Sequence, residues 1–136
     1  MSKDKKIIVC VPTFKRSKYL KKNLKSLFEQ KFEQKFEILV IDNDINQSGK
    51  KSINEFIDNI IKIDYHVEKN KGISSVRNKC ISICAQKKAD YMIFIDDDET
   101  ADKYWLHNLF LVEKEYNALI VGGPVLCKFE KPVSEL

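Results

Sequence analysis

The chain has 136 residues, 43% hydrophobic and 32% charged, proportions that fit one globular domain and exclude a disordered tail. No apolar run approaches the roughly 18 residues of a membrane span, and Met1-Ser2-Lys3-Asp4-Lys5-Lys6 leads into Ile7 without a signal-peptide pattern, so a cytoplasmic location, or one at the cytoplasmic face of a membrane, is expected. The net charge of +4 is unevenly spread: residues 1–36 hold 11 Lys and Arg against 3 acidic residues, and residues 37–136 hold 13 against 17.

In chain order, Lys6-Ile7-Ile8-Val9-Cys10-Val11 is a β-branched apolar run that reads as a buried strand ended by Pro12. Leu20, Leu24, Leu27 and Phe28 then place one apolar stripe on a helix from about Ser17 to Gln30. Lys18, Lys21, Lys22 and Lys25 read as its solvated side, so the basic front does not call for a nucleic-acid partner. Phe36 to Ile41 is a second buried strand, stopped by Asp42-Asn43-Asp44.

Ile53, Phe56, Ile57 and Ile60 keep helical spacing, and Ile61 to Val67 follows as a third strand. After Asn70-Lys71-Gly72, a third helix puts Ile73, Val76, Cys80, Ile83 and Cys84 on one face. Tyr91 to Ile95 is a fourth strand that stops at Asp96-Asp97-Asp98-Glu99. Thr100 can cap a fourth helix carrying Trp105, Leu106, Leu109 and Phe110, and Ala118 to Val121 predicts a fifth strand. Four β-α units and a last strand imply a largely parallel sheet covered on both faces, one α/β domain over residues 1–136. Cys10, Cys80, Cys84 and Cys127 are scattered through apolar sequence without a zinc-ligand pattern, so they are expected as reduced core thiols.

Open α/β sheets bind ligands beyond the carboxyl ends of their strands. The polar residues at those ends are Thr13 and Arg16, Asp42 and Asp44, Asn70 and Arg77, and Asp96 to Glu99. Four successive acids repel one another unless something positive compensates them, and Mg²⁺ or Mn²⁺ suits one or two carboxylates whose shell is completed by substrate phosphates. The same acids could instead favour the dipole of the helix that follows. Asp42 and Asp44 fit either an Asx turn or acceptors for a nucleobase N–H. Arg77, near a helix start where the dipole disfavours cations, fits a base or phosphate contact or an ordinary surface position.

Together these blocks resemble a family 2 glycosyltransferase of the GT-A fold, a Rossmann-like three-layer sandwich with a mostly parallel sheet of about five strands. The resemblance is carried by Val9-Cys10-Val11-Pro12-Thr13-Phe14 with Arg16, Ile41-Asp42-Asn43, Asn70 to Asn78, Phe94-Ile95-Asp96-Asp97-Asp98-Glu99, Trp105-Leu106 and Gly122-Gly123-Pro124. It implies a nucleotide-diphosphate sugar, most simply a UDP-sugar, held by Thr13, Arg16, Asp42, Arg77, Asp96 and Asp97. Within that set Thr13 and Asp42 would hold the base, with Asp96 at the ribose and Asp98 on Mn²⁺ or Mg²⁺. It also implies inverting transfer to a hydroxyl of a saccharide or glycolipid acceptor.

The family's general base and acceptor-binding elements follow a segment like Gly122-Gly123-Pro124, and only thirteen residues lie beyond Gly123. The expectation is therefore a donor-binding domain cut before its acceptor part, with no base assigned and an exposed sheet edge or tail that a second copy could cover. A nucleotide-binding module or partner subunit without catalysis is the alternative. Asp96 to Thr100 also spells the D-x-D-x-T of haloacid dehalogenase-like phosphatases, but three β-α units precede it where that family has none. A receiver domain would need acids after its first strand, where this chain has Val11-Pro12-Thr13.

Overall fold

The computed structural model describes residues 4–129. Its elements are β1 (Ile7–Thr13), α1 (Ser17–Phe28), β2 (Glu37–Asp42), α2 (Lys50–Asn54), β3 (Ile63–Val67), α3 (Ile73–Gln86), β4 (Tyr91–Phe94) and α4 (Trp105–Tyr116). The four strands form one sheet in the order β3-β2-β1-β4, and every pairing is parallel.

Strand periodicity decides the layers. On β1, Val9 and Val11 join Leu20, Leu24 and Leu27 of α1, Ile53 of α2 and Leu106 of α4 in one core. Ile8 and Cys10 point the other way, into a second core with Val76, Cys80 and Cys84 of α3. Helices therefore cover both faces, the three-layer α/β sandwich that the sequence predicts. The three α1 leucines are fully buried, a contribution of about 1.5–3 kcal/mol each.

The first strand runs through Pro12 to Thr13 instead of ending before the proline. Cys10 O accepts from Ile95 N on the β4 side, and Thr13 O accepts from Asn43 N on the β2 side. Backbone polar groups alternate between those sides, so Pro12 faces β4. The last β1–β4 pair is Cys10 with Phe94, so the missing N–H at Pro12 costs no ladder bond.

Other expectations are corrected at the edges of the fold. Helix α2 stops at Asn54 and gives way to tight turns, Phe56 N to Ile53 O and Asn59 N to Phe56 O. Phe56 stays packed by stacking on Phe28 at 5.0 Å, while Ile57 and Ile60 are exposed. Ile73, placed by spacing on the packed face of α3, is also exposed in its first turn. No fifth strand forms at Ala118 to Val121 among the described residues. There Asn117 adopts the left-handed conformation that ends α4, Ala118 N bonds Glu113 O, and Leu119 and Ile120 are exposed; an apolar run becomes a strand only where a partner edge takes it.

Three cysteines are buried free thiols, with Cys10 Sγ 3.7 Å from Cys84 Sγ. Cys127 is free but exposed, contrary to its expected core position. The adjoining Cys80 and Cys84 thiols, then burial, push the Cys10 thiol far above its ordinary range, which keeps it protonated. No helix of the described residues is long and apolar enough to cross a membrane.

Candidate functional site

The chain runs outward from β1 to β2 and β3, then returns to the opposite flank of β1 for β4. At such a reversal the loops leaving the two strands diverge and open a crevice. Arg16 and the Asp96–Glu99 loop meet across it: Arg16 Nη1 donates to Asp98 Oδ2 at 2.8 Å and to Asp97 Oδ1 at 3.3 Å. Thr13 Oγ1 donates to Asp97 Oδ2 at 2.8 Å. A cleft of about 400 Å³ lined by Arg16, Tyr19, Asp98 and Lys128 opens beside this network.

The three aspartates differ in kind. Asp97 is buried, and burial pushes its carboxyl above the ordinary carboxylate range against the opposing pull of Thr13 and Arg16. Asp98 and Asp96 are half exposed, with side-chain exposures of 48% and 49%, and each meets an arginine. For Asp96 that partner is Arg77, 3.5 Å away, whose guanidinium also lies 5.9 Å from the centre of the Phe94 ring. Glu99 turns back so that its Oε2 accepts from Asp96 N at 2.9 Å.

The raised position of Asp97 has a defined sign. Such a group favours folding while protonated, and that contribution is lost as pH rises from the ordinary value of 3.8 through the raised one. Thr13 offsets the loss by donating to the ionised form. Thr13→Val is therefore expected to cost about 1–3 kcal/mol at neutral pH, with the deficit shrinking as pH falls through the Asp97 pKa. Urea unfolding at several pH values checks this.

Asp42 departs from its expected role. It is completely buried; its Oδ1 accepts from Asp44 N at 2.9 Å, and its Oδ2 accepts from Gly49 N at 2.7 Å and Tyr65 Oη at 2.8 Å. A Cβ on Gly49 would sit 3.0 Å from that Oδ2 and 3.2 Å from Leu20, a tight fit that would press on the Asp42 carboxylate. Burial, then the bond to Asp42, raises the Tyr65 hydroxyl well above its ordinary range and keeps it a donor. Asp42 ties β2 to the loop before α2 and to β3, and offers no free face to a nucleobase. Thr13 and Asp97 are likewise turned inward onto each other. The expected set thus divides: Arg16 and Asp98 line the cleft, Arg77 and Asp96 pair half exposed, and Thr13, Asp42 and Asp97 are buried.

Backbone contacts from further side chains complete this frame. Asn43 Nδ2 donates to Glu68 O and Asn70 O, each at 2.8 Å, and its Oδ1 accepts from Gly72 N at 2.9 Å. That clamp fixes the approach to α3, where Gly72 has a φ of 117° that an L side chain rarely adopts. Thr100 does not cap α4, which begins at Trp105; Gln30, just past the end of α1, receives Leu106 N instead. Asn23, buried on α1, donates to the carbonyls of Asp96 and Glu99. A polar residue at position 23 inside the stripe Leu20, Leu24, Leu27 was the available signal for it.

Asp96 and Asp98 fit a hard divalent cation. Both present carboxylate oxygens, both are accessible, and each already attracts a cation, its arginine. No group of three potential ligands converges among the described residues, so a divalent ion held here would have to draw its other ligands from phosphates and water.

The profile of glycosyl transferase family 2 matches residues 8–134. The chain belongs to glycosyl transferase family 2. Among its relatives, the glycosyltransferase GlyA of Streptococcus pneumoniae serotype 4 is 28% identical over 120 residues, which is 88% of this chain and 17% of GlyA. S. aureus TarS, solved in complex with UDP, superposes with a TM-score of 0.68 at 22% identity over 88% of this chain and 38% of that one. The mannosyltransferase PcManGT from Pyrobaculum calidifontis, solved with GDP-Man and Mn²⁺, gives a TM-score of 0.66 at 15% identity over 80% of this chain and 32% of that one. The two superpositions carry the fold, the GT-A sandwich, and all three relatives are much longer than this family 2 chain. Family membership sets aside the phosphatase and receiver readings.

Proposed function

We propose that the crevice between β1 and β4 binds a nucleotide-diphosphate sugar together with Mg²⁺ or Mn²⁺, and that the chain forms the donor side of an inverting glycosyl transfer. One observation carries this reading: two accessible carboxylates, Asp96 and Asp98, stand on one loop at the switch point, each paired with a half-exposed arginine, Arg77 or Arg16. Asp98 would ligate the metal and Asp96 would face the ribose. The metal, when bound, supplies positive charge against the charge that develops on the leaving diphosphate.

The chain's own residues do the rest of the donor-side work. Once Asp98 is engaged, Arg16 is free to take a phosphate oxygen, and Arg77, held against Phe94, is placed for the nucleotide; a guanidinium suits either phosphate or carboxylate. Thr13, Asp42 and Asp97 act beneath the ligand by fixing the strand ends. The TarS complex with UDP favours a uridine donor as the first to test, and the PcManGT complex supports the metal. The acceptor is a hydroxyl of a saccharide or glycolipid.

Calorimetric titration with UDP, GDP and their sugars, with and without Mn²⁺, tests the proposal. Binding that needs the metal supports it, and the absence of binding to every nucleoside diphosphate with Mn²⁺ present contradicts it.

A further inference from the structure

Helix α1 carries a second pattern inside its leucine stripe. Asn23 and Ser26 stand three apart on one face of the helix, Gln30 follows two residues past its end, and together they bind the backbone of residues 96–106. Asn23 Nδ2 donates to Asp96 O at 3.1 Å and Glu99 O at 2.9 Å. Ser26 Oγ accepts from Ala101 N at 2.9 Å. Gln30 Nε2 donates to Asp102 O at 2.6 Å, and Gln30 Oε1 accepts from Leu106 N at 3.0 Å.

We propose that Asn23, supported by Ser26 and Gln30, is the positioning residue of the acidic loop, holding Asp96 and Asp98 in the geometry that takes the metal and diphosphate. The inference rests on the donor-site reading above. Asn23 is completely buried among leucines, an expensive place for an amide, and its Oδ1 has no hydrogen-bond partner among the described residues. A leucine of nearly the same shape would fill the space without that cost. What an apolar residue could not supply is the pair of donors. Both N–H groups are spent on carbonyls of the one loop, on either side of Asp98. With those carbonyls tied to α1, and Asp96 N tied to Glu99 Oε2, the backbone is cinched from the core side while the Asp96 and Asp98 carboxylates stay half exposed. Preorganisation of this kind spares the cost of ordering ligands as the ion arrives.

Asn23→Leu separates this role from simple packing when two readouts are taken on the 136-residue chain. Hydrogen exchange should show the Glu99 and Ala101 amides losing protection by at least about tenfold while the β2 amides keep theirs. Mn²⁺ affinity in the presence of UDP, read by the electron paramagnetic resonance signal of free Mn²⁺, should fall about 10- to 100-fold while the chain stays folded. Ser26→Ala, the milder variant, should loosen Ala101 alone and weaken Mn²⁺ less, which keeps the test alive if Asn23→Leu fails to fold. Unchanged loop protection, or loop and sheet loosening together, overturns the proposal, as does a loosened loop with undiminished Mn²⁺ affinity. If the unaltered chain binds no Mn²⁺ with UDP, the donor-site reading fails, whereas the exchange result still decides whether Asn23 holds the loop.

Discussion

Asp98→Ala is expected to weaken metal-dependent nucleotide binding at least about 100-fold while the fold survives. Loss of a residue that merely supports a metal ligand commonly costs about 10- to 100-fold, and Asp98 is proposed as the ligand itself. Its side chain is half exposed, and its partner is the equally exposed Arg16. Surface pairs of that kind contribute about 0–1 kcal/mol, so the melting temperature should move by no more than a few degrees. Calorimetry and thermal unfolding on one preparation measure both. A variant that binds UDP and Mn²⁺ as tightly as the original would remove Asp98 from the site.

Asp42→Ala should do the reverse and damage the fold before it damages binding. Three donors converge on this carboxylate, from Asp44 N, Gly49 N and Tyr65 Oη. Each donor left unpaired in the interior costs about 1–3 kcal/mol, so a loss of about 3 kcal/mol or more is expected. That is a large part of the roughly 5–15 kcal/mol that holds a domain of this kind together. Asp42→Asn offers little relief, because its amide NH₂ would have to face donors on one side. Chemical denaturation decides the point. If Asp42→Ala keeps full stability and loses nucleotide affinity alone, Asp42 reads the base as its motif suggests, and the structural role assigned to it is wrong.

These two aspartates show how far the sequence could be read. Both stand after an apolar strand in a polar cluster, and spacing alone treats them alike. What separates them is long-range packing: Asp42 ends β2, between β1 and β3, where the loop of Gly49 folds over it, whereas Asp98 follows β4, where nothing further in the described sheet covers the strand. The strands and the α1 stripe were legible because apolar periodicity reports burial directly, and the motif order identified the family. The roles of Thr13 and Asp97 were not, since a hydroxyl and a carboxylate 84 residues apart pair only once β1 and β4 are neighbours. The fifth strand failed for a related reason: a β-branched run records a preference, and the partner edge that would satisfy it is a property of the fold.

Asn23 and Asn43 mark a different limit. Their work is to satisfy backbone groups of distant loops, 73 to 76 residues away for Asn23 and 25 to 29 for Asn43. No spacing rule announces such a contact, and only the oddity of an amide in an apolar stripe hints at one.

The most direct measurement is an anomalous difference map at the manganese edge from a crystal of this chain grown with UDP and Mn²⁺. The proposed site predicts one strong peak at a coordination distance of about 2 Å from an Asp98 oxygen, adjoining the diphosphate, with Arg16 drawn away from Asp98. A bound nucleotide without a peak at residues 96–98, or manganese held elsewhere on the chain, would contradict it.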